Sequence, residues 1–132
     1  MCGIAGMFDT RDRRDIPRDI VGRMNDVQFH RGPDGGDIHF EPGVALAHRR
    51  LAIVDLSPEG HQPMVSDDGR WVIAFNGEIY DHAAIRAELV ALGHGFRGRS
   101  DTEVLLAAIS QWGVEGALAR GNGMLAFAAW DR

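Results

Sequence analysis

The chain has 132 residues, which suits one domain, and 45% of them are hydrophobic, enough for a core. Its formal charge of −5 arises from 19 acidic and 14 basic residues spread along the chain without a basic stripe, which argues against nucleic acid as a partner. No apolar run is long enough for a membrane span, and no basic segment precedes an apolar run as in a secretory signal. We therefore expect one cytoplasmic domain over residues 1–132, with no membrane contact.

Short apolar segments separated by Gly and Pro predict a mixed α/β architecture from the start of the chain. The run from Gly3 to Phe8 predicts a buried strand. Apolar residues at helical spacing, Ile20, Met24 and Val27, predict a helix over Asp19 to Phe29. We expect this stripe to face the core.

Three strands are predicted in the middle of the chain, over Val44 to Ala47, Leu51 to Val54 and Trp71 to Phe75. The third is rich in β-forming residues and is expected to stop at Asn76-Gly77. We expect all three to pair in one sheet.

Two helices and a strand are predicted in the last third, over His82 to Leu92, Thr102 to Trp112 and Met124 to Trp130. Ser100 and Glu103 have the spacing of a capping box at the start of the second helix. The apolar faces of the two helices consist of Ile85, Leu89 and Leu92, and of Val104, Leu105, Ala108, Ile109 and Trp112.

Cys2 is the only cysteine, so no internal disulfide forms, and it follows the initiator Met1 directly. Removal of Met1 would give an N-terminal Cys whose α-amine, with a pKa of about 7.7 to 8.0, can act as the base for its own thiol. Nucleophile and base would then come from one residue. The alternative is a small residue that merely stands second in the chain.

Five motifs follow one another in order along the whole chain. They are Met1-Cys2-Gly3-Ile4-Ala5-Gly6, His30-Arg31-Gly32-Pro33-Asp34-Gly35, His48-Arg49-Arg50-Leu51-Ala52-Ile53-Val54-Asp55, Asn76-Gly77-Glu78-Ile79-Tyr80 and Ser100-Asp101-Thr102-Glu103. Together they resemble the class II glutamine amidotransferase domain of the asparagine synthetase family. The resemblance implies an α+β fold, the four-layer α-β-β-α sandwich of N-terminal-nucleophile hydrolases, with Cys2 at the start of a central strand. The family has further strands after the last one here, so we expect a domain that is incomplete at its C-terminus.

By this resemblance, the Cys2 thiolate attacks the side-chain amide of glutamine, expels ammonia and leaves a glutamyl thioester that water hydrolyses. Asn76 and the backbone N–H of Gly77 resemble the pair that stabilises the oxyanion, which is worth about 3 to 4 kcal/mol for one donor. A glycine at this position would let the backbone approach the substrate closely. The alternative for Asn76-Gly77 is a tight hairpin turn.

The resemblance also implies a pocket that holds the amino-acid end of glutamine. Arg50 matches the arginine that binds the α-carboxylate with two parallel hydrogen bonds, and Asp101 matches the aspartate that binds the ammonium. Glu78 and the backbone around Ile53 and Val54 would line the same pocket. The alternatives are a surface charge for Arg50 and a helix first-turn carboxylate for Asp101.

Arg31, Gly32, Pro33 and Asp34 resemble the loop of the family that closes over glutamine. The alternative is an ordinary turn, because Gly, Pro and Asp are all common turn residues.

The six histidines show no spacing typical of a metal site, and we expect no metal and no cofactor in this chain. ATP and Mg are expected only in an ATP-dependent synthetase domain, C-terminal or separate, that uses the ammonia to convert aspartate to asparagine. Alternatives are a Cys-His hydrolase, a non-catalytic remnant that at most binds a partner, and a relative that amidates another carboxylate in cell-envelope synthesis. We also expect the chain alone to be marginally stable and a poor glutaminase.

Overall fold

The structure is a computed structural model that describes residues 1–11 and 13–132. Short 3₁₀ turns over Phe29–Arg31 and Pro58–Gly60 interrupt the longer elements. The longer elements in chain order are β1 (Gly3–Phe8), α1 (Arg18–Asp26), β2 (Gly35–Glu41), β3 (Val44–Arg50), β4 (Met64–Val65), β5 (Trp71–Ile79), α2 (His82–Ala91), α3 (Asp101–Arg120) and β6 (Gly123–Asp131).

The strands form two antiparallel sheets, one in the order β1-β3-β2 and the other in the order β4-β5-β6. Helix α1 packs on the first sheet, and α3, with α2 against it, packs on the second. The two sheets face each other through their other sides. The predicted four-layer α-β-β-α sandwich is confirmed, but β1, which follows Cys2, is an edge strand of its sheet and not the central strand that was expected.

Alternation along β3 explains how one strand serves two apolar layers. Ala45 and Ala47 contact the layer below α1, whereas Val44 and Leu46 point toward the second sheet, because successive side chains of a strand lie on opposite faces. The small alanines leave room for Val21 of α1, which is fully buried. The layer between the sheets is completed by Ile4, Val72, Ala74, Ala128 and Trp130.

One of the strand predictions is wrong, and strand β2 was not predicted. Leu51 to Val54 forms no strand, and Ile53 is 70% exposed. These residues line a cavity instead of pairing in a sheet. Strand β2 was not predicted because its first residues, Gly35, Gly36 and Asp37, are poor strand formers. Pairing with β3 specifies this strand instead.

The predicted single middle sheet is also wrong, because β3 and β5 belong to opposite sheets. Strand β5 continues through Asn76 and Gly77, which pair with Ala126 and Leu125 of β6. A hairpin turn at Asn76-Gly77 is thereby excluded.

Helix α1 is shorter than predicted and presents a different face. Its buried residues are Val21 and Asn25, while Ile20 is exposed and Val27 lies beyond the helix end with 73% exposure. The predicted apolar stripe is therefore not the face that packs on the core. The helix ends at Asp26, and its Val21 side packs on the small residues of β3.

The later helices agree with the prediction in their first turns. Ile85 and Leu89 of α2 are buried, but Leu92 follows the helix and is 52% exposed. Helix α3 extends to Arg120, with a break at Gly113, where φ is +73°. No helix of the described chain is both long enough and apolar enough to cross a membrane.

Candidate active site

The layer between the two sheets changes from apolar to polar at one end. On β3 the inward residues Val44 and Leu46 are followed by His48 and Arg50, and on β5 the inward Val72 and Ala74 are followed by Asn76 and Glu78. Cys2 has the same parity as Ile4 of β1. Strand alternation therefore directs side chains from three strands into a common space.

A cavity of about 160 Å³ lies at this polar end. It is lined by all of the residues predicted for catalysis and for substrate binding, which are Cys2, Asn76, Gly77, Arg50, Ile53, Val54, Glu78 and Asp101. Cys2 and Asp101, which are 99 positions apart in the sequence, both line it.

Cys2 is half-buried at the mouth of β1. The backbone N–H of Leu51 donates to its Sγ at 3.3 Å, and Arg31 Nε donates to its carbonyl oxygen at 3.1 Å. The Sγ also lies 3.7 Å from the carbonyl oxygen of Leu51, to which the thiol can donate. Met1 also lines the cavity, and its peptide bond occupies the amine of Cys2.

Arg50 points into the cavity with its guanidinium already oriented. Its Nη2 donates to the carbonyl oxygens of Asp55 and Ser57, the latter at 3.0 Å. Within the described part of the chain, Nε and Nη1 have no hydrogen-bond partner, so donors remain for an anion.

Arg49 lies on the opposite face of β3, as alternation requires. Its Nε donates to the carbonyl oxygen of Asn25 at 3.1 Å and its guanidinium pairs with Asp26, which ties the end of α1 to the sheet. Only 17% of its side chain is exposed. Arg49 therefore anchors α1 and Arg50 faces the cavity. Neither side chain is a free surface charge.

Asp101 is the first residue of α3 and is 6% exposed. Its Oδ2 accepts the N–H of Ile79 at 3.0 Å, and the preceding Ser100 caps the helix by accepting the N–H of Glu103 at 3.2 Å. A carboxylate at a helix start is stabilised by the helix dipole. Asp101 thus occupies both predicted positions, in the first helical turn and in the cavity wall.

Asn76 and Gly77 lie side by side on β5. Among the described residues, the side-chain amide of Asn76 has no hydrogen-bond partner, so its donor is available in the cavity. A Cβ at Gly77 would overlap the carbonyl oxygen of Met124 and would lie 2.9 Å from the Phe75 ring. The expectation that Gly77 makes room for substrate needs revision, because its missing side chain makes room for β6.

The segment from Arg31 to Asp34 supports the site from outside the cavity lining. The N–H of Asp34 donates to the Arg50 carbonyl at 3.0 Å, and its Oδ2 accepts the N–H of Ala52 at 2.9 Å. Pro33 bridges to Arg50, and a Cβ at Gly32 would overlap the backbone of β3. These contacts fix residues 50–52, and closure of this loop over glutamine stays a prediction.

Three residues with buried polar side chains at the site were not singled out from the sequence. Gln62 accepts the N–H of Phe75 at 2.6 Å and donates to the Thr102 hydroxyl at 3.1 Å. His48 and Asp55 stand in a recognised motif, and strand alternation would have placed His48 between the sheets. Nothing in the local sequence marks Gln62.

Two titratable groups near the cavity, His48 and Asp55, have shifted pKa values. Burial lowers the pKa of His48 to about 4, so its imidazole is neutral near pH 7. Hydrogen bonds from the Arg99 backbone and from Ser57 lower the pKa of Asp55 to about 2, so it is ionised. Within residues 1–11 and 13–132, no group of three or more His, Cys, Asp or Glu residues is arranged to hold a metal ion.

Comparison with known proteins gives the family. A family model described as a glutamine amidotransferase domain matches residues 1–132. The chain belongs to the glutamine amidotransferase family. In this family context, the Cys2 cavity is the candidate active site of the domain.

Among similar curated relatives, asparagine synthetase [glutamine-hydrolyzing] 3 of Bacillus subtilis is 40% identical over 99% of this chain and 21% of its own length. Asparagine synthetase B of Escherichia coli is also 40% identical, over 99% of this chain and 23% of its own length. The chain thus spans about a fifth of the length of these relatives.

A solved amidotransferase shares the fold of this chain. The glutamine phosphoribosylpyrophosphate amidotransferase of B. subtilis aligns with a TM-score of 0.58 over 70% of this chain and 22% of its own chain, at 24% identity. The N-terminal-nucleophile type of fold predicted from the motifs agrees with this likeness.

Proposed function

We propose that this domain hydrolyses glutamine to glutamate and ammonia through a thioester on Cys2. The observation that carries the proposal is the convergence of the Cys2 sulfur, the Asn76 amide, Arg50 and Asp101 on one cavity. These groups supply a nucleophile, an oxyanion donor, a cation for a carboxylate and an anion for an ammonium.

The chemical sequence follows from these roles. The Cys2 amine, freed by loss of Met1, accepts the thiol proton, and the thiolate forms a bond to the amide carbon. The oxygen charge that develops is stabilised by Asn76 and the N–H of Gly77. Collapse expels ammonia after protonation by the same amine, and water then releases glutamate from the thioester and restores the thiol.

Removal of Met1 has two effects in this proposal. It frees the α-amine that serves as the base, and it clears a side chain that lines the cavity. A chain that retains Met1 has a tied amine and a narrower cavity, and it is expected to be inactive.

The ammonia is proposed to serve ATP-dependent amidation of aspartate to asparagine. Two similar curated relatives from Bacillus subtilis and Escherichia coli, both named as glutamine-hydrolysing asparagine synthetases, support this part. ATP and Mg would be required only by the synthetase activity, in a C-terminal or separate domain.

Three measurements test the proposal. Intact mass reports whether Met1 is absent, coupled assays report ammonia and glutamate from glutamine, and mass spectrometry after rapid quench reports a glutamyl adduct on Cys2. We expect the Cys2→Ala variant to lose ammonia release with an unchanged thermal transition, since the thiol is small and half-buried. Equal ammonia release by both proteins would refute the thioester mechanism. A processed wild type that unfolds cooperatively but releases no ammonia would favour a non-catalytic domain.

A further inference from the structure

Asp55 is a nearly buried carboxylate, 9% exposed, that the proposed chemistry does not use. Its Oδ1 accepts the N–H of Ser57 at 2.8 Å, and its Oδ2 accepts the N–H of Arg99 at 2.7 Å. One side chain therefore joins two segments that are 44 residues apart in the sequence.

The first of these bonds shapes the contact with Arg50. A carboxylate that accepts the N–H two residues ahead closes a tight turn. In this turn, the carbonyl oxygens of Asp55 and Ser57 both accept Arg50 Nη2. The turn thereby fixes the plane of the guanidinium and leaves its other nitrogens toward the cavity.

The second bond fixes the other wall of the cavity. Arg99 lies two residues before Asp101, and Ser100 between them caps α3. When Oδ2 holds the Arg99 N–H, the start of α3 and the Asp101 carboxylate are held at a set distance from the Arg50 turn.

Two neighbouring glycines pack closely against the Asp55 side chain and restrict its position. A Cβ on Gly98 would lie 2.6 Å from Oδ2, and a Cβ on Gly60 would lie 3.4 Å from the Asp55 Cβ and would overlap the Arg50 guanidinium. Glycine at both positions permits the close approach of the two segments. The arrangement is rigid, because both oxygens are bonded to backbone.

We propose that Asp55 is a positioning residue that sets the separation of Arg50 and Asp101, and with it the recognition of the α-amino and α-carboxylate groups of the substrate. The inference rests on the proposed function. Cys2 and Asn76 are held by other contacts, with the Leu51 N–H and with β6. Loss of Asp55 should therefore weaken binding of the amino-acid end more than it slows the chemical step.

The Asp55→Asn variant tests this with nearly unchanged volume. An amide has one acceptor oxygen, so one of the two backbone N–H groups loses its partner. We expect the KM for glutamine to rise about tenfold or more, with kcat within about twofold of wild type. A purely structural role would instead lower the thermal transition and reduce kcat and kcat/KM together.

Asp67→Asn is the matched control. Asp67 accepts from Arg97 Nη2 at 2.8 Å, so it also contacts the segment before α3, but its side chain is 69% exposed. We expect its KM and kcat to equal those of wild type, since exposed pairs contribute little. A KM rise in this variant equal to that of Asp55→Asn would overturn the proposal.

Gly98→Ala provides a second variant that keeps the Asp55 charge. Its new Cβ would press on Oδ2 of Asp55, so we expect a several-fold rise in the KM for glutamine. This variant replaces Asp55→Asn as the test if Asp55→Asn does not fold. An unchanged KM in both folded variants, or in Gly98→Ala alone if Asp55→Asn is unfolded, refutes the positioning role.

Calorimetry of glutamine binding to each variant in the Cys2→Ala background separates this inference from the proposed function. Weaker binding in the Asp55→Asn variant supports the positioning role. Equal binding overturns that role while glutamine recognition stands. No binding by the Cys2→Ala parent overturns both.

Discussion

His48 donates its Nε2–H to the carbonyl oxygen of Phe75 at 3.1 Å, and this bond crosses the layer between the two sheets. A carbonyl can only accept, so the Nε2 tautomer is fixed. The bond ties β3 next to Arg50 to β5 next to Asn76, which are two walls of the cavity. His48 is fully buried, and within the described chain its Nδ1 has no partner.

The neutral state of His48 predicts a stability that depends on pH. Its pKa is about 4 in the folded protein against 6.5 as the ordinary value. Between these values the unfolded chain binds more protons, so the free energy of unfolding falls as the pH is lowered from about 6.5 to about 4, by about 3 kcal/mol. Urea unfolding at a series of pH values measures this loss.

The His48→Gln variant is the control for that prediction. Its side-chain amide can donate to the Phe75 carbonyl but does not titrate, so the difference between the two pH profiles isolates the imidazole. If wild type and variant show parallel pH profiles, the pKa of His48 is the same in the folded and in the unfolded protein, and the prediction is wrong.

The oxyanion role of Asn76 predicts an effect on kcat rather than on binding. In Asn76→Asp the volume is kept, but the donor is replaced by a carboxylate that repels the developing oxygen charge. We expect kcat to fall about 10²-fold to 10³-fold, with a much smaller change in KM. Asn122→Asp, at an exposed position, is the control and should keep wild-type kcat. If KM rises while kcat stays unchanged, Asn76 contributes to binding of glutamine in the ground state instead.

The motif resemblance predicted the site, because Cys2, Arg50, Asn76, Glu78 and Asp101 all line the cavity. Strand patterns alone could not, because the predicted strands end before Arg50 and Asn76 and were assigned to one sheet, whereas β3 and β5 belong to opposite sheets. The position of Asp101 also depends on how α3 packs against the end of β5. Local pattern also failed at Leu51 to Val54, because a cavity wall and a strand both favour β-branched apolar residues.

The split between Arg49 and Arg50 predicts different effects for the same substitution. Arg50→Lys keeps the charge but loses the planar set of donors, so we expect the KM for glutamine to rise about tenfold, the value of one lost charge-assisted hydrogen bond. Arg49→Lys loses the bond to the Asn25 carbonyl and should lower the free energy of unfolding by about 1 kcal/mol with KM unchanged. Kinetics and urea unfolding on both variants check this, and equal KM values would mean that Arg50 does not bind the carboxylate.

The close approach of β5 and β6 at Gly77 predicts a cost for even one methyl group. A Cβ at Gly77 would overlap the Met124 carbonyl oxygen, which is backbone in a paired strand and has no rotamer to change. We expect Gly77→Ala to lower the free energy of unfolding by about 1 to 3 kcal/mol, the usual cost of overpacking.

Gly22→Ala is the matched control, because Gly22 lies inside α1 and a Cβ there meets nothing within 4 Å. That change should stabilise the protein by about 0.5 to 1 kcal/mol through helix propensity. Thermal unfolding of both variants gives opposite shifts if the strands are packed as described, whereas a neutral Gly77→Ala would mean that β6 stands further from β5 at this point.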